Sequence, residues 1–209
     1  MLTQVKEEGE RILTDRTNLI HAIGTLTQDF AYSHEVANEK FYIGMISINR
    51  SSGNVDILPI LTSEYVLCRR KLINQKIEVY GEIRTRNEDG KVHIFIFCNE
   101  LEKTAGDDLN EITLEGYICK DPINRSTPLG RTITDLLVAV NRRFNKSDYL
   151  PCVVWGRTAK KASCYGIGTK VDIKGRLQSR KYTKVVDDSL EERTAIEISV
   201  ATIDESIGY

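Results

Sequence analysis

"KIEVYGEIRTR", residues 76–86, returns as "KVDIKGRLQSR", residues 170–180. Both stretches alternate apolar and polar residues, the period of a strand with one buried face. Each carries a glycine at its sixth position, Gly81 and Gly175. Other anchors keep nearly the same offset. Gly24 and Gly116, Asn49-Arg50 and Asn141-Arg142, Asp56 and Asp148, and Pro59 and Pro151 lie 92 residues apart, and Lys76 and Lys170 lie 94 apart. One offset held over so many positions, widened once by two residues, marks a duplicated domain. The period is too long for a solenoid repeat. The seam falls near "EKTAGDDLN", residues 102–110, which is polar with one glycine. The expected organisation is an N-terminal extension over residues 1–17, a first domain over 18–105 and a second over 106–209.

Each copy reads as β. In the second, "EITLEGYI" alternates and "DPINRSTPLG" is rich in turn residues. "TITDLLVAVNRRF" is a long strand, "NKSD" a turn and "YLPCVVWG" a third strand. "TAKKASCYG" suits a short helix, "KVDIKGRLQSRKY" is a fourth strand, "VVDDSLEE" a loop and "RTAIEISVATI" a fifth strand. The first copy follows the same order, with "EYVLCRRKLI" as its helix. Five strands with a helix between the third and fourth, in about 95 residues, is the layout of the OB fold. The predicted class is therefore all-β, two tandem OB folds, each a five-stranded Greek-key barrel.

Composition narrows the function. The chain has 209 residues, 41% hydrophobic and 28% charged, ordinary for a globular protein. No apolar run reaches the roughly 18 residues of a membrane helix, and the start "MLTQVKEEGERILTDRT" has no apolar secretory core. Five cysteines form no CxxC pair. This favours reduced thiols in a cytoplasm, most of them acting as small buried hydrophobes. His21, His34 and His93 are scattered in the first copy, and no phosphate loop, metal motif or catalytic triad is visible. "GIG" at 166–168 precedes a strand and reads as a turn. The expectation is no enzyme, no cofactor and no metal.

The net charge of -1 hides an uneven distribution. Residues 116–184 hold 15 Lys and Arg against 4 Asp and Glu, about +11, whereas residues 1–105 hold 13 against 15. A segment this basic points to a polyanionic partner, against the plainer alternative of a solvated basic face. The second copy's aromatic residues stand beside these cations. Phe144 follows Arg142-Arg143, Trp155 precedes Arg157, and Tyr182 is flanked by Arg180, Lys181 and Lys184. Tyr149 opens the strand that Trp155 closes. Six residues separate them, so on an unbroken strand they share a face. Rings that stack on bases and cations that follow phosphates are what single-stranded nucleic acid requires. A tryptophan in an apolar strand is often core, but the first copy holds Ser63 at the place of Trp155, Ile57 at Tyr149, Ser52 at Phe144 and Glu88 at Tyr182. A position that takes Ser or Trp is not demanded by a shared core.

On these residues the stretch 110–203 resembles the bacterial single-stranded DNA-binding protein family. "NEITLEGYICKDP", "LLVAVNRRF", "DYLPCVVWGRTA", "GTKVDIKGRLQSRKY" and "TAIEISVATI" follow that family's order and spacing. The resemblance implies sequence-tolerant binding of single-stranded DNA in replication, recombination or repair, in the cytoplasm and associated with the nucleoid. Carried over by position, Phe144, Tyr149, Trp155 and Tyr182 are the stacking residues. Arg142, Arg143, Arg157, Arg176 and Arg180 are their phosphate or stacking partners, joined by Lys181 and Lys184. It also implies a homodimer, since family members assemble four OB folds and this chain supplies two. Replication or repair proteins are the further partners, although the family's acidic tail has no counterpart in "ATIDESIGY". The first copy, lacking the aromatics but keeping Arg50, Arg84 and Arg86, is expected mainly to support assembly. Two other readings are an OB protein-interaction module of the primosome type and an RNA-binding OB protein.

Overall fold

A computed structural model of the chain describes residues 17–206 except 69, 89, 128–129, 143–144 and 187–188. Apart from Thr17, the expected N-terminal extension lies outside them. The first half contains β1 (Asn18–Val36), β2 (Glu39–Asn49), β3 (Val55–Ser63), α1 (Glu64–Leu67), β4 (Lys76–Glu88) and β5 (Lys91–Lys103). The second contains β6 (Leu109–Ile118), β7 (Ile123–Ser126), β8 (Thr132–Arg142), β9 (Lys146–Trp155), α2 (Gly156–Ala162), β10 (Lys170–Val186) and β11 (Ser189–Glu205).

Both halves close into barrels by the same circuit. β1 pairs with β2 and β4, β2 with β3, β3 runs parallel to β5, and β5 returns antiparallel to β4. In the second half β6 pairs with β8 and β10, β8 with β9, β9 runs parallel to β11, and β11 returns to β10. The chain is thus all-β, two tandem OB folds, each with its helix between the third and fourth barrel strands. The repeated glycines explain how the circuits close. Register shifts fall at Tyr80/Gly81 and at Lys174/Gly175. A methyl group on either glycine would run into a carbonyl of the next strand, that of Phe97 or of Ser199. A bulge without a side chain lets the strand bend sharply enough to serve two sides of a small barrel.

The two barrels share one sheet. β1 and β6 pair antiparallel from Asn18↔Leu114 to Ile23↔Leu109, which makes the described strands a single sheet. Ile20, Ala22, Ile112 and Leu114 are buried along this seam. Asn18 and Asn110, 92 apart, do equivalent work: the amide of Asn18 brackets the backbone of Ile83 at 2.7 and 3.0 Å, and that of Asn110 brackets Leu177 at 2.6 and 3.0 Å. The connector is held by Asp108, which accepts from the backbone and side chain of Asn49 at 2.7 and 2.6 Å and from Lys76 at 2.8 Å.

Several local expectations change. The turn-rich "DPINRSTPLG" contains β7, a short edge strand on β8, as four residues suffice to pair along an exposed edge. Of the loop expected in "VVDDSLEE", residues 185–186 and 189–192 instead belong to β10 and β11, with Val186 opposite Ser189. Helix α1 stops at Leu67, well short of "EYVLCRRKLI", because Cys68 turns left-handed (φ 48°). Arg70 then takes the freed carbonyls of Val66 and Leu67 and reaches Leu101 O at 2.8 Å. Cys98 and Cys152 are buried, Cys119 is half-buried, and Cys68 and Cys164 are exposed, so only two of five act as core residues. Burial pushes the Cys98 thiol up to about 12 and also raises Cys152.

Candidate nucleic-acid interface

β9 positions the aromatics by strict alternation. Leu150, Cys152 and Val154 point into the barrel, Asp148 on the same side is also buried, and Tyr149 and Trp155 face outward, 52% and 38% exposed. Trp155 is also the residue that caps α2, and it makes no side-chain cap. Its counterpart Ser63 is buried and accepts the Val66 N–H at 3.4 Å as the cap of α1.

Trp155 opens onto a cleft of about 790 Å³ between the two folds. The second fold contributes Arg131, Arg176, Gln178, Arg180 and Lys181 from the approach to β8 and from β10. The first contributes Arg50, Ser52, Asn54, Val55 and Ile57 from the β2–β3 turn and the start of β3. Five of the lining residues are Lys or Arg, and none is Asp or Glu. Beneath the rim, Glu197 is nearly buried. It accepts from Gln178 at 2.8 Å and from Arg180 at 3.4 Å, which draws Arg180 toward the sheet. The Arg180 guanidinium lies 5.8 Å from the centre of the Tyr182 ring.

A latch that occurs twice ties the two folds together, and its first instance fixes the cleft's walls. Asp56, fully buried, accepts from Nε and Nη2 of Arg50 and from the Ser179 N–H, the latter at 2.7 Å. The Ile57 N–H donates to Ser179 Oγ at 2.9 Å. The counterpart Asp148, also fully buried, accepts from the Thr85 N–H at 2.6 Å and hydroxyl at 2.8 Å. Arg142 Nε lies 2.9 Å from Asp148 Oδ2, but out of line, so neither atom completes a hydrogen bond.

Of the residues expected from sequence, the structure brings Trp155, Arg176, Arg180 and Lys181 together on the cleft. Tyr149 lies at the far end of β9, Tyr182 and Lys184 further along β10, and exposed Arg157 on α2, so none of these four lines it. Arg142 belongs to the latch. Arg143 and Phe144 lie outside the described residues. Arg131 and the first-fold wall apart from Arg50 were not among the residues expected from sequence. Only the pairing of Ile133 with Trp155 brings "GRTI" beside the tryptophan.

The charge count also needs correcting. Several cations of the +11 segment meet acids across strands: Lys181 with Glu192 (2.8 Å), Lys170 with Glu115 (2.9 Å), and Arg125 with Asp135. The cleft shares in this cancellation: of its five lining cations, Arg50 pairs with Asp56, Arg180 with Glu197 and Lys181 with Glu192, which leaves Arg131 and Arg176 unmatched by an acid among the described residues. On the first fold the corresponding face is occupied differently. The Arg84 guanidinium sits 3.5 Å over the Phe97 ring and pairs with Glu82 at 2.9 Å, and Phe41 lies 6.0 Å from Phe97 and stacks on His34. Among the described residues no cluster of His, Cys, Asp and Glu could hold a metal ion, and no helix is long and apolar enough to cross a membrane.

This geometry coincides with a family match. The profile of the single-strand binding protein family fits residues 109–205, the whole of the second fold from β6 to β11. Single-stranded DNA-binding protein B of Bacillus subtilis is 35% identical over 80 residues, 35% of this chain and 71% of that protein. The chain belongs to the single-strand binding protein family. The single-stranded DNA-binding protein of Clostridium tetani is 38% identical over 81 residues, and single-stranded DNA-binding protein 1 of Staphylococcus aureus 36% over 100. These matches take in 35% and 40% of this chain, and the chain spans only 56% and 60% of those relatives. The fold likeness extends further than the sequence match. Wild-type single-stranded DNA binding protein from Thermus aquaticus superposes with a TM-score of 0.73 at 19% identity, over 92% of this chain and 94% of that one. The tandem arrangement of folds is therefore shared along almost the full length.

Proposed function

We propose that this chain binds single-stranded DNA with little regard to sequence and catalyses no reaction. Bases stack on Trp155 while Arg131, Arg176, Arg180 and Lys181 neutralise the phosphates. The observation that carries this reading is the cleft itself, an outward tryptophan among five cations, of which Arg131 and Arg176 meet no acid among the described residues. A flat apolar ring contributes about 1–3 kcal/mol per stacked base, whatever the base, and cations recruit the backbone by releasing its counterions. Tyr149, Tyr182, Arg157 and Lys184 are exposed beyond the cleft and would extend the path of a longer strand. Family membership supports the same reading, because the matched relatives carry the name of single-stranded DNA-binding proteins.

Trp155 is the only tryptophan, so the test needs no label. Titration with oligo-dT should quench its fluorescence, and the affinity should fall steeply with added salt. No quenching at low salt, with no shift of a labelled oligonucleotide, overturns the reading. The resemblance further supports a homodimer of four OB folds that acts on cytoplasmic DNA alongside replication or repair proteins. Sedimentation should then report twice the chain mass of 23.7 kDa.

A further inference from the structure

We infer that the first OB fold is one wall of the DNA site, and that Asn54, Val55 and Ile57 contact a strand held on Trp155. The inference rests on the DNA-binding reading above and assigns to that site residues outside the family-matched segment 109–205.

Three observations support it. Val55 and Ile57 are apolar yet 45% and 46% exposed. They alternate with fully buried Asp56 and Leu58, so the strand's own geometry turns them outward into the cleft. Ile57 also stands at the duplicated position of Tyr149, so the outward apolar site that is aromatic in the second fold is aliphatic here. Last, these side chains cannot drift away from the opposite wall. Asp56, between them, takes the Ser179 N–H, and the Ile57 N–H meets Ser179 Oγ, so β3 is bolted to β10 one residue from Arg180 and three from Arg176. A strand seated on Trp155 with its phosphates at Arg176 and Arg180 would run along this bolted edge. It would find an apolar surface at Val55 and Ile57 and an amide at Asn54. The second fold alone would be half a site.

Two measurements on the full chain test this, using oligo-dT. The first moves the reporter. In a Trp155→Phe background, Ile57→Trp should be quenched by oligo-dT, while Val92→Trp, exposed on the first fold and away from the cleft, should not. The second changes charge at exposed positions, where folding is not at risk. Asn54→Glu should weaken binding by about tenfold, as expected for a like charge facing phosphates across a partly solvated cleft, and Val92→Glu should bind like wild type. The inference is overturned if Ile57→Trp stays bright while anisotropy shows the labelled oligonucleotide bound, or if Asn54→Glu and Val92→Glu bind alike. Failure of the wild-type chain to bind at all would instead remove the DNA-binding reading, and the inference with it.

Discussion

The two folds place different chemistry at one equivalent position. Ser63 and Trp155 each end the third barrel strand and each open a helix. In the first fold the residue is buried and caps α1. In the second it leaves α2 without a side-chain cap and turns a ring to solvent. A serine cap stabilises a helix by about 1 kcal/mol over alanine. The second fold forgoes that gain where the first keeps it. The difference teaches that a duplicated scaffold can keep its strand frame while one copy gives up a local stabilising device for an exposed surface.

The largest effect that could break this comparison concerns the twin latches. Asp56→Ala should lower unfolding stability by about 3 kcal/mol, because Arg50 is mostly buried and would lose its partner. Asp148→Ala should cost less, since its Arg142 contact is out of line. Chemical denaturation of both variants decides the matter, and equal losses would mean the two latches are energetically alike. Next comes binding. Trp155→Ala should lose about 1–3 kcal/mol of affinity for oligo-dT. Trp155→Ser should lose as much but be about 1 kcal/mol more stable than the alanine variant, since it restores the cap of the first fold. A serine variant no more stable than alanine would show that α2 does not need a cap.

The charge contrast is finer. Arg176→Gln should flatten the dependence of log affinity on log salt by about 0.7, the value for one phosphate contact on a single strand. Arg84→Gln, already engaged by Glu82 and Phe97, should leave that slope unchanged. The smallest effect lies at the connector. Burial would raise the Asp108 carboxyl, but bonds from Lys76 and Asn49 outweigh it and hold it below its ordinary value. A carboxyl lowered in the folded state contributes above its unfolded value of about 3.9 and loses that contribution as pH falls through the lowered value. Asp108→Asn should therefore unfold with a shallower acid dependence below about pH 4, as seen in melts across pH 2–6.

Much of the fold was legible because its anchors are local and repeated. Gly81 and Gly175 mark bulges, Asp56 and Asp148 mark latches, and the offset between copies is the offset between barrels. The cleft was less legible. Its walls come from residues 50–57 and 131–200, and they meet through the β1–β6 seam and the bonds of Asp56 and Ile57 to Ser179. No periodicity links Asn54 to Arg176. The excess of basic residues was visible, but its partial cancellation by Glu192 and Glu115 depends on strand register, which a count over a window does not contain. The extension of β1 over residues 27–36 was missed because these residues are largely exposed and carry little alternation.

The β1–β6 seam lies within one polypeptide, and that frees the two folds from a constraint. In an isologous pair of separate chains every substitution appears on both sides, so an improvement on one wall is imposed on the other. Here a tryptophan can arise beside one helix while a serine is retained beside its twin, and a cleft can acquire two unlike walls. Covalent linkage also makes the meeting of those walls a first-order event, so the site should persist at dilutions that would dissociate a pair of unlinked barrels.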